Sequence, residues 1–207
     1  MQLKDWMRIY EEILRDFGFS KEEDEKAAVI MHELGKGKLL DSSVLNFLRG
    51  RKVAVVGGAY EGEDIEEDTI LTAGKAVKLV DTSVYGPSIH VTDMEEDDNL
   101  LIELERKGCI LVLHAHGDNI DRIKSVIPKI GRFIGTTQSE PFDKIYNFGG
   151  FTDGDRAVLL AKYFGAKVKL YGFDFERAAN EIKRKKLKWA RKILTTFASD
   201  VLENAHL

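Results

Sequence analysis

The chain has 207 residues and a formal net charge of −4; 43% of its residues are hydrophobic and 32% are charged. This composition can bury a full core and predicts one domain with appendages. The slightly acidic balance excludes a general electrostatic attraction to nucleic acid or to a membrane surface. Cys109 is the single cysteine, which excludes a disulfide framework or a cysteine metal site within one chain.

The N-terminal part of the chain has helical patterns. Residues 3–17 carry apolar side chains at helical spacing, and Ser20–Glu23 has the form of a capping box that starts a second helix ending near Leu34. We expect residues 1–45 to be a helical segment packed on a main domain of residues 46–207. No apolar run approaches transmembrane length and the first residues lack a signal-peptide pattern, so we expect a cytoplasmic protein.

From Arg51 onwards, short runs rich in Val, Ile and Leu alternate with helical patterns. The candidate strands are Lys52–Val56, Thr69–Thr72, Ser88–Val91, Cys109–Leu113, Arg132–Gly135, Lys144–Asn147 and Lys167–Tyr171. The candidate helices between them are Glu63–Asp68, Gly74–Val80, Asn99–Lys107, Ile120–Ile130 and Asp155–Phe164. This alternation predicts an α/β fold with an open, mostly parallel, Rossmann-like sheet that has helices on both faces.

The residues after Phe175 predict one or two C-terminal helices. Their apolar stripe consists of Ile182, Trp189, Ile193, Phe197 and Val201. Apolar stripes in the helices at both ends of the chain are compatible with a homodimer and equally with packing inside one molecule.

The segments that follow the candidate strands are rich in polar residues and glycine. They are Gly57–Glu61, Ala73–Lys75, Thr92–Glu95, His114–Asn119, Thr136–Gln138, Phe148–Ala157 and Gly172–Asp174. Turns favour Asp and Gly for conformational reasons, so any one of these segments is weak support for a site. Ligands of open α/β sheets bind outside the carboxyl ends of the strands, and the joint placement of these segments predicts a binding rim there.

Phe148–Ala157 is the most informative of these segments. A candidate strand leads into a glycine-bearing turn and then into a helix N-terminus, which presents unpaired N–H groups and a partial positive charge that suit phosphate. Asp153, Asp155 and Arg156 lie on this turn. Carboxylates beside a phosphate site indicate a divalent cation. The alternative is that Thr152 or Asp153 simply caps the helix.

Four further features have simple structural explanations. His114 and His116 are alternating strand-end residues that lack further zinc ligands. The acidic run Glu95–Asp98 is typical of a solvated helix cap, and Lys183–Lys186 of an exposed helix face, although the lysines could hold a polyphosphate. Gly57-Gly58 follows a Val-rich strand but lacks the spacing of a dinucleotide-binding turn.

Several of these motifs together resemble a known family. In chain order they are Val91–Met94, His114–Asn119, Gly135–Gln138, Phe148–Ala157 and Leu170–Phe175. This order resembles the archaeal 6-hydroxymethyl-7,8-dihydropterin pyrophosphokinases over about residues 50 to 195. The resemblance implies a fold related to thiamin pyrophosphokinases. It also implies Mg²⁺-dependent transfer of diphosphate from ATP to the hydroxymethyl group of a reduced pterin, with release of AMP, on the route to folate or methanopterin.

Two departures from the family pattern bear on the expected site. Gly58–Tyr60 stands where the family tends to have a Gly-Pro-Ser-like turn, which puts a ligand role for residues 57–60 in doubt. Asp93-Met94-Glu95 stands where the family tends towards Asp-x-Asp. The second departure is chemically tolerable because Glu95 still offers carboxylate oxygen.

The resemblance and the strand-end positions together imply roles for the acidic residues. We expect Mg²⁺ on Asp93 and Asp118, with Glu95 or Asp153 assisting, since Mg²⁺ takes oxygen ligands and bridges phosphates. Asp118 could also accept the proton of the pterin hydroxyl group.

The same reasoning implies contacts to the two substrates. Arg156 and the helix N-terminus at Gly154 would hold phosphate. Further residues expected at the nucleotide are Gly135, Thr136, Thr137, Asp153 and Asp155. Asn119, Gln138 and Asn147 carry amides able to read the pterin edge, and His116 would stack on a substrate or bond to it.

Three other functions are alternatives to this expectation. His114–Asn119 has residue types found in metal-dependent phosphoesterases, but only His32, His90 and His206 remain to complete such a site. A thiamin pyrophosphokinase would share the ATP and metal chemistry and differ in its acceptor. A non-catalytic nucleotide-binding module would bind ATP without releasing AMP.

Overall fold

The computed structural model describes residues 1–203; residues 204–207, which include His206 and the end of the expected main domain, lie outside the described residues. The strands are β1 (Lys52–Val56), β2 (Thr69–Ala73), β3 (Ser88–Thr92), β4 (Ile110–Ala115), β5 (Ile134–Thr137), β6 (Ile145–Tyr146) and β7 (Lys167–Tyr171). They form one parallel sheet in the order β6-β5-β4-β3-β2-β1-β7. The predicted open α/β sheet is confirmed.

Seven α-helices accompany the sheet in the described residues. They are α1 (Leu3–Phe17), α2 (Lys21–Leu34), α3 (Asp98–Arg106), α4 (Ile120–Val126), α5 (Asp153–Tyr163), α6 (Glu181–Phe197) and α7 (Ser199–Glu203). Short 3-10 helices lie at Ser42–Leu48, Gly74–Lys78, Thr82–Val84, Gly117–Asn119 and Ile127–Lys129. Across residues 1–203, none of the helices combines the length and the apolar character that crossing a bilayer would require.

Apart from shifts of one or two residues at the ends of elements, the prediction differs from the structure in four places. The helix predicted at Glu63–Asp68 is wrong, because these residues are irregular; Ile65 is the only apolar residue of a strongly acidic run, which leaves a helix no face to bury. The Gly74–Val80 helix is a 3-10 helix that ends at Lys78, and the Ile120–Ile130 helix changes to a 3-10 turn at Ile127. Ile182, expected on the apolar stripe, is 66% exposed.

Each face of the sheet has its own apolar core, since neighbouring strand residues point to opposite faces. On one face, Val53 and Val55 of β1 pack in a cluster with residues of α1, α5, α6 and α7. On the other face, Leu111 and Leu113 of β4 pack with residues of α2, α3 and α4. The N-terminal helices therefore contribute to both cores, α1 to one and α2 to the other.

The strand order locates the ligand-binding edge. From β1 the chain adds β2 to β6 successively on one side, whereas β7 returns to pair with β1 on the other side. The order therefore reverses between β1 and β7. Open α/β folds bind ligands at such a switch point, outside the carboxyl ends of the strands.

Candidate active site

A cleft of about 670 Å³ lies at this switch point. One side of the cleft is formed by the turns after β1, β2, β3 and β7 and by the start of α5. The opposite side is formed by residues of α6 and of the segment before it. The volume lies within the range of roughly 300–1,000 Å³ that is usual for small-molecule sites. The turns after β4 and β5 contribute no lining residue, whereas the segment after β6 contributes Phe151 and Thr152 as it leads into α5.

Among the carboxylates that line the cleft are Asp93 after β3 and Asp153 at the start of α5, and each of these two side chains is 20% exposed. Burial and the neighbouring charge of Asp93 raise the pKa of Asp153 well above its ordinary value, although Arg156 opposes them. Burial would also raise the pKa of Asp93, but the hydrogen bond from His116 and the charge of Arg156 outweigh it and lower this pKa. A cation bound between Asp93 and Asp153 would therefore stabilise the charged form of both carboxylates.

The turn that carries Asp93 is anchored from beneath by the buried carboxylate of Glu96. Thr92 donates its hydroxyl hydrogen to Glu96 at 2.5 Å and accepts the N–H of Met94 at 2.8 Å. Met94 adopts a left-handed backbone conformation with φ 67°. His90, which is fully buried, lies 3.7 Å from the same carboxylate. This packing sets the direction in which Asp93 and Glu95 leave the sheet.

His116 stands beside Asp93 and is oriented by the next turn of the chain. The backbone N–H of Asp118 donates to His116 Nδ1 at 3.3 Å, so Nδ1 is the acceptor and Nε2 carries the hydrogen. His116 Nε2 lies 3.5 Å from Asp93 Oδ2. The side chain of Asp118 is exposed and does not line the cleft. The structure therefore brings His116 to Asp93, whereas Asp118 contributes its backbone.

Asn119 holds the ends of β3 and β4 together. Its side-chain amide donates to the carbonyl oxygens of Asp93 at 3.0 Å and His114 at 2.8 Å, and its oxygen accepts the N–H of His116 at 3.1 Å. The amide predicted to read the pterin edge thus has its hydrogen bonds inside the protein.

The N-terminus of α5 forms part of the cleft. Thr152 is the N-cap residue, and Asp155 accepts the N–H groups of Phe151 at 2.7 Å and Thr152 at 2.8 Å. Burial raises the pKa of the Asp155 carboxyl. Asp155 therefore caps the helix, while Asp153 and Gly154 present the first turn to the cleft, where N–H groups have no partner within the helix.

Arg156 supports Asp153 from within the protein. It is 7% exposed and does not line the cleft. Its Nη1 donates to Asp153 Oδ1 at 3.2 Å, and its Nη2 donates to the Phe151 carbonyl oxygen at 2.8 Å and approaches Gln138 Oε1 at 3.5 Å. The guanidinium therefore fixes the first turn of α5.

The residues expected at the end of β5 are buried in a polar network. Gly135, Thr136, Thr137 and Gln138 are all buried. Thr136 Oγ1 lies 3.0 Å from His114 Nδ1, and Gln138 Nε2 donates to Asp24 at 2.8 Å. Asn147 donates to the Ser139 carbonyl oxygen at 2.6 Å and accepts the Gly149 N–H at 2.9 Å. None of these residues lines the cleft.

Three lysines of the cleft were not among the expected site residues. Lys75 follows β2, and Lys183 and Lys186 extend from α6. Two signals for them were visible in the sequence: the lysine run at Lys183–Lys186 and the strand-end position of Lys75. Lysine runs and strand-end lysines are both common on ordinary protein surfaces. Only the tertiary structure, in which α6 faces the end of the sheet, shows that these three lysines line the cleft.

The carboxylate oxygens of the cleft suit a Mg²⁺ ion whose other ligands are water and phosphate oxygens. Within residues 1–203, no three His, Cys, Asp or Glu side chains converge in an arrangement able to hold a metal ion. Mg²⁺ commonly uses one or two carboxylates, with waters and substrate phosphates as its other ligands. Asp93 Oδ1 is buried and has no hydrogen-bond partner among the described residues, so it is available as a ligand.

Comparisons with known proteins identify relatives of nearly the same length. No protein-family model matches the chain. The 6-hydroxymethyl-7,8-dihydropterin pyrophosphokinase of Pyrococcus furiosus is 36% identical, covering 94% of this chain and 93% of that protein. The proteins of the same name from Methanocaldococcus jannaschii and Methanothermobacter thermautotrophicus are each 33% identical, covering 98% and 94% of this chain and the same shares of those proteins. The chain belongs to the archaeal 6-hydroxymethyl-7,8-dihydropterin pyrophosphokinase family.

Proposed function

We propose that this chain transfers the pyrophosphoryl group of ATP to the hydroxymethyl group of 6-hydroxymethyl-7,8-dihydropterin, with Mg²⁺ as cofactor and AMP as second product. The names and near-complete coverage of the relatives support the reaction and the acceptor. The observation that carries the proposal is that the carboxylates of Asp93 and Asp153 share one cleft with Lys75, Lys183 and Lys186.

The two groups of charges have complementary tasks. A nucleoside triphosphate brings several negative charges into the cleft, and the lysines together with the N–H groups of α5 would bind them. Bound Mg²⁺ would neutralise charge that develops on the transferred and leaving oxygens. Asp93 and Asp153 would hold it, and Glu95, which also lines the cleft, would assist.

The remaining residues would orient the reactants. Attack by the pterin hydroxyl oxygen on the β-phosphorus requires oxygen and phosphorus to be held in line. Phe173, Tyr60 and Phe151 line the cleft, and their aromatic rings would pack against a heterocycle. His116 would keep Asp93 in place through its Nε2–H group.

The sequence-based proposal for Asp118 differs from this arrangement. The Asp118 side chain is exposed and lies outside the cleft, so it does not line the space in which Asp93 would hold a cation. Asp118 as metal ligand and proton acceptor therefore stays a prediction, which variants distinguish from the Asp93–Asp153 arrangement.

One assay tests the proposal. Purified protein is incubated with ATP and Mg²⁺ and with either 6-hydroxymethyl-7,8-dihydropterin or thiamin, and AMP is quantified. AMP formed with the pterin and not with thiamin is expected. AMP formed with thiamin alone would identify the other pyrophosphokinase class, and ATP binding without AMP would indicate a binding module.

A further inference from the structure

Asp24 on α2 is a buried carboxylate that accepts three hydrogen bonds from three separate parts of the chain. It is 3% exposed. Its Oδ2 accepts from Tyr10 Oη at 2.6 Å and from Gln138 Nε2 at 2.8 Å, and its Oδ1 accepts from the backbone N–H of Gly117 at 2.8 Å. A charged group at this depth is costly unless its hydrogen bonds are satisfied. Asp24 thus ties α1, the end of β5 and the turn after β4 to α2.

One branch of this network leads to Asp153. Gln138 lies between Asp24, whose carboxylate only accepts, and Arg156, whose guanidinium only donates. The Gln138 amide therefore turns its nitrogen to Asp24 and its oxygen to Arg156, at 2.8 and 3.5 Å. Arg156 in turn donates to Asp153 at 3.2 Å. Trp6 Nε1 donates to the backbone carbonyl oxygen of Gln138 at 2.9 Å, so both the backbone and the side chain of Gln138 are held by hydrogen bonds.

The other branch leads to Asp93. The Gly117 N–H bound by Asp24 belongs to the turn between His116 and Asp118. A Cβ atom on Gly117 would lie 2.8 Å from the Cβ of Glu23, so α2 packs directly against this turn. The turn orients His116, whose Nε2 lies 3.5 Å from Asp93. Asp93 and Asp153 are therefore both connected to the same buried group, Asp24.

We propose that Asp24 is a positioning residue for the pyrophosphoryl transfer. Its carboxylate dictates the orientation of the Gln138 amide, which places Arg156 and Asp153, and it holds the turn that places His116 against Asp93. Helix α2 then positions Asp93 and Asp153 through Asp24, in addition to packing in the core. This inference rests on the proposed function, because the reaction is what the two carboxylates are positioned for.

The polarity of the network provides a test by exchange. In Asp24→Asn, the amide oxygen can keep the Gly117 N–H, but the amide nitrogen faces Gln138 Nε2, so Gln138 turns over and presents N–H groups to Arg156. In Gln138→Glu alone, two carboxylates face each other. In the double variant Asp24→Asn/Gln138→Glu, the asparagine nitrogen donates to the glutamate, whose other oxygen accepts from Arg156. The double variant thus again presents a hydrogen-bond acceptor to Arg156, as the wild type does.

The measurements are kcat and KM for AMP release, the Kd of Mg²⁺–ATP without pterin, and thermal unfolding. We expect each single variant to lower kcat about tenfold and the double variant to recover to within about threefold of wild type, where independent effects would multiply to about a hundredfold loss. Tyr10→Phe is the matched control, because it removes a donor from the same Asp24 oxygen without turning Gln138. It should lower the unfolding temperature and leave kcat within about twofold.

The outcomes separate the two proposals. Wild-type protein that forms no AMP with the pterin contradicts the proposed function, while the Mg²⁺–ATP affinities of the same variants still test the positioning role. The positioning role is overturned if folded Asp24→Asn matches wild type in kcat and in Mg²⁺–ATP affinity. It is also overturned if the double variant is no better than Asp24→Asn.

Discussion

A Cβ atom on Gly74 would lie 2.7 Å from Asp153 Oδ2. Gly74 follows β2 with a left-handed φ of 52°, and Asp153 begins α5. The missing side chain thus lets the first turn of α5 settle against the end of β2. The contact brings Asp153 into the cleft that Asp93 also lines.

We predict that Gly74→Ala impairs activity more than stability. The methyl group collides with the Asp153 carboxylate, and the left-handed backbone costs an ordinary residue about 1–2 kcal/mol. Gly37→Ala is the control, since Gly37 has φ 77° and open space around it. Both variants should unfold at lower temperature, and only Gly74→Ala should lose turnover. Equal turnover in the two would show that Asp153 tolerates displacement.

Carboxamide variants test which carboxylates hold the proposed Mg²⁺. Asp93→Asn and Asp153→Asn should each lower kcat more than about a hundredfold, because losing even an indirect partner of a metal ligand costs about ten- to a hundredfold. Asp118→Asn should stay within about tenfold if it acts through its backbone. The measurement is AMP release over a range of Mg²⁺ concentrations. A larger loss in Asp118→Asn than in Asp153→Asn would favour the sequence-based assignment.

The lysines of α6 should contribute mainly to nucleotide binding. Lys183→Ala and Lys186→Ala remove cations from the cleft wall, and each should raise the KM for ATP about tenfold, with the effect shrinking at high salt. Lys188→Ala is the control on the same helix, because Lys188 is exposed and does not line the cleft. An unchanged KM in both cleft variants would remove α6 from the phosphate site.

Stability should fall on acidification partly because of His114. Burial, followed by the charge of Arg156, holds the pKa of His114 well below its ordinary value of 6.5. Below about pH 6.5, His114 therefore binds a proton in the unfolded chain but stays neutral in the folded protein. Its contribution to the free energy of unfolding is present above that pH and is lost as the pH falls. The loss reaches about 1.4 kcal/mol per pH unit.

Urea unfolding between about pH 7.5 and 5.5 measures this contribution. His114→Asn can keep a donor towards Thr136, whose Oγ1 lies 3.0 Å from His114 Nδ1, and it cannot titrate. Its unfolding free energy should be lower at neutral pH and should change less with pH than that of wild type. An identical pH dependence would mean that other groups cause the acid sensitivity.

The fold was predictable because its signals are local. Val53 and Val55 alternate with Ala54 and Val56, and such apolar runs, separated by helical patterns, specify buried parallel strands without reference to the rest of the chain. The Ser20 cap was predictable for the same reason, since its side chain accepts the N–H of Glu23 three residues later, at 3.2 Å. Where local polarity leaves no apolar face, as at Glu63–Asp68, the prediction failed.

The candidate site was predictable only in part. Asp93, Glu95, Asp153 and Gly154 were expected at the rim, and the structure brings them together in the cleft. Asn119, Gln138 and Asn147 hydrogen-bond to other parts of the protein in the structure, and their expected contact with the pterin stays a prediction. A polar side chain at a strand end can face the ligand or the neighbouring loop, and the residue type is the same in both cases.

The sequence by itself determined the parallel α/β sheet, the glycine turn leading into α5 and the carboxylates at the strand ends, because each depends on neighbours within a few residues. The tertiary structure decided which carboxylate joins Asp93, which lysines enter the cleft and what Asp24 holds. These relationships join residues far apart in the chain, such as Asp24 and Gln138, separated by 114 positions. Only the strand order and the packing of helices on both faces bring such residues within hydrogen-bond distance.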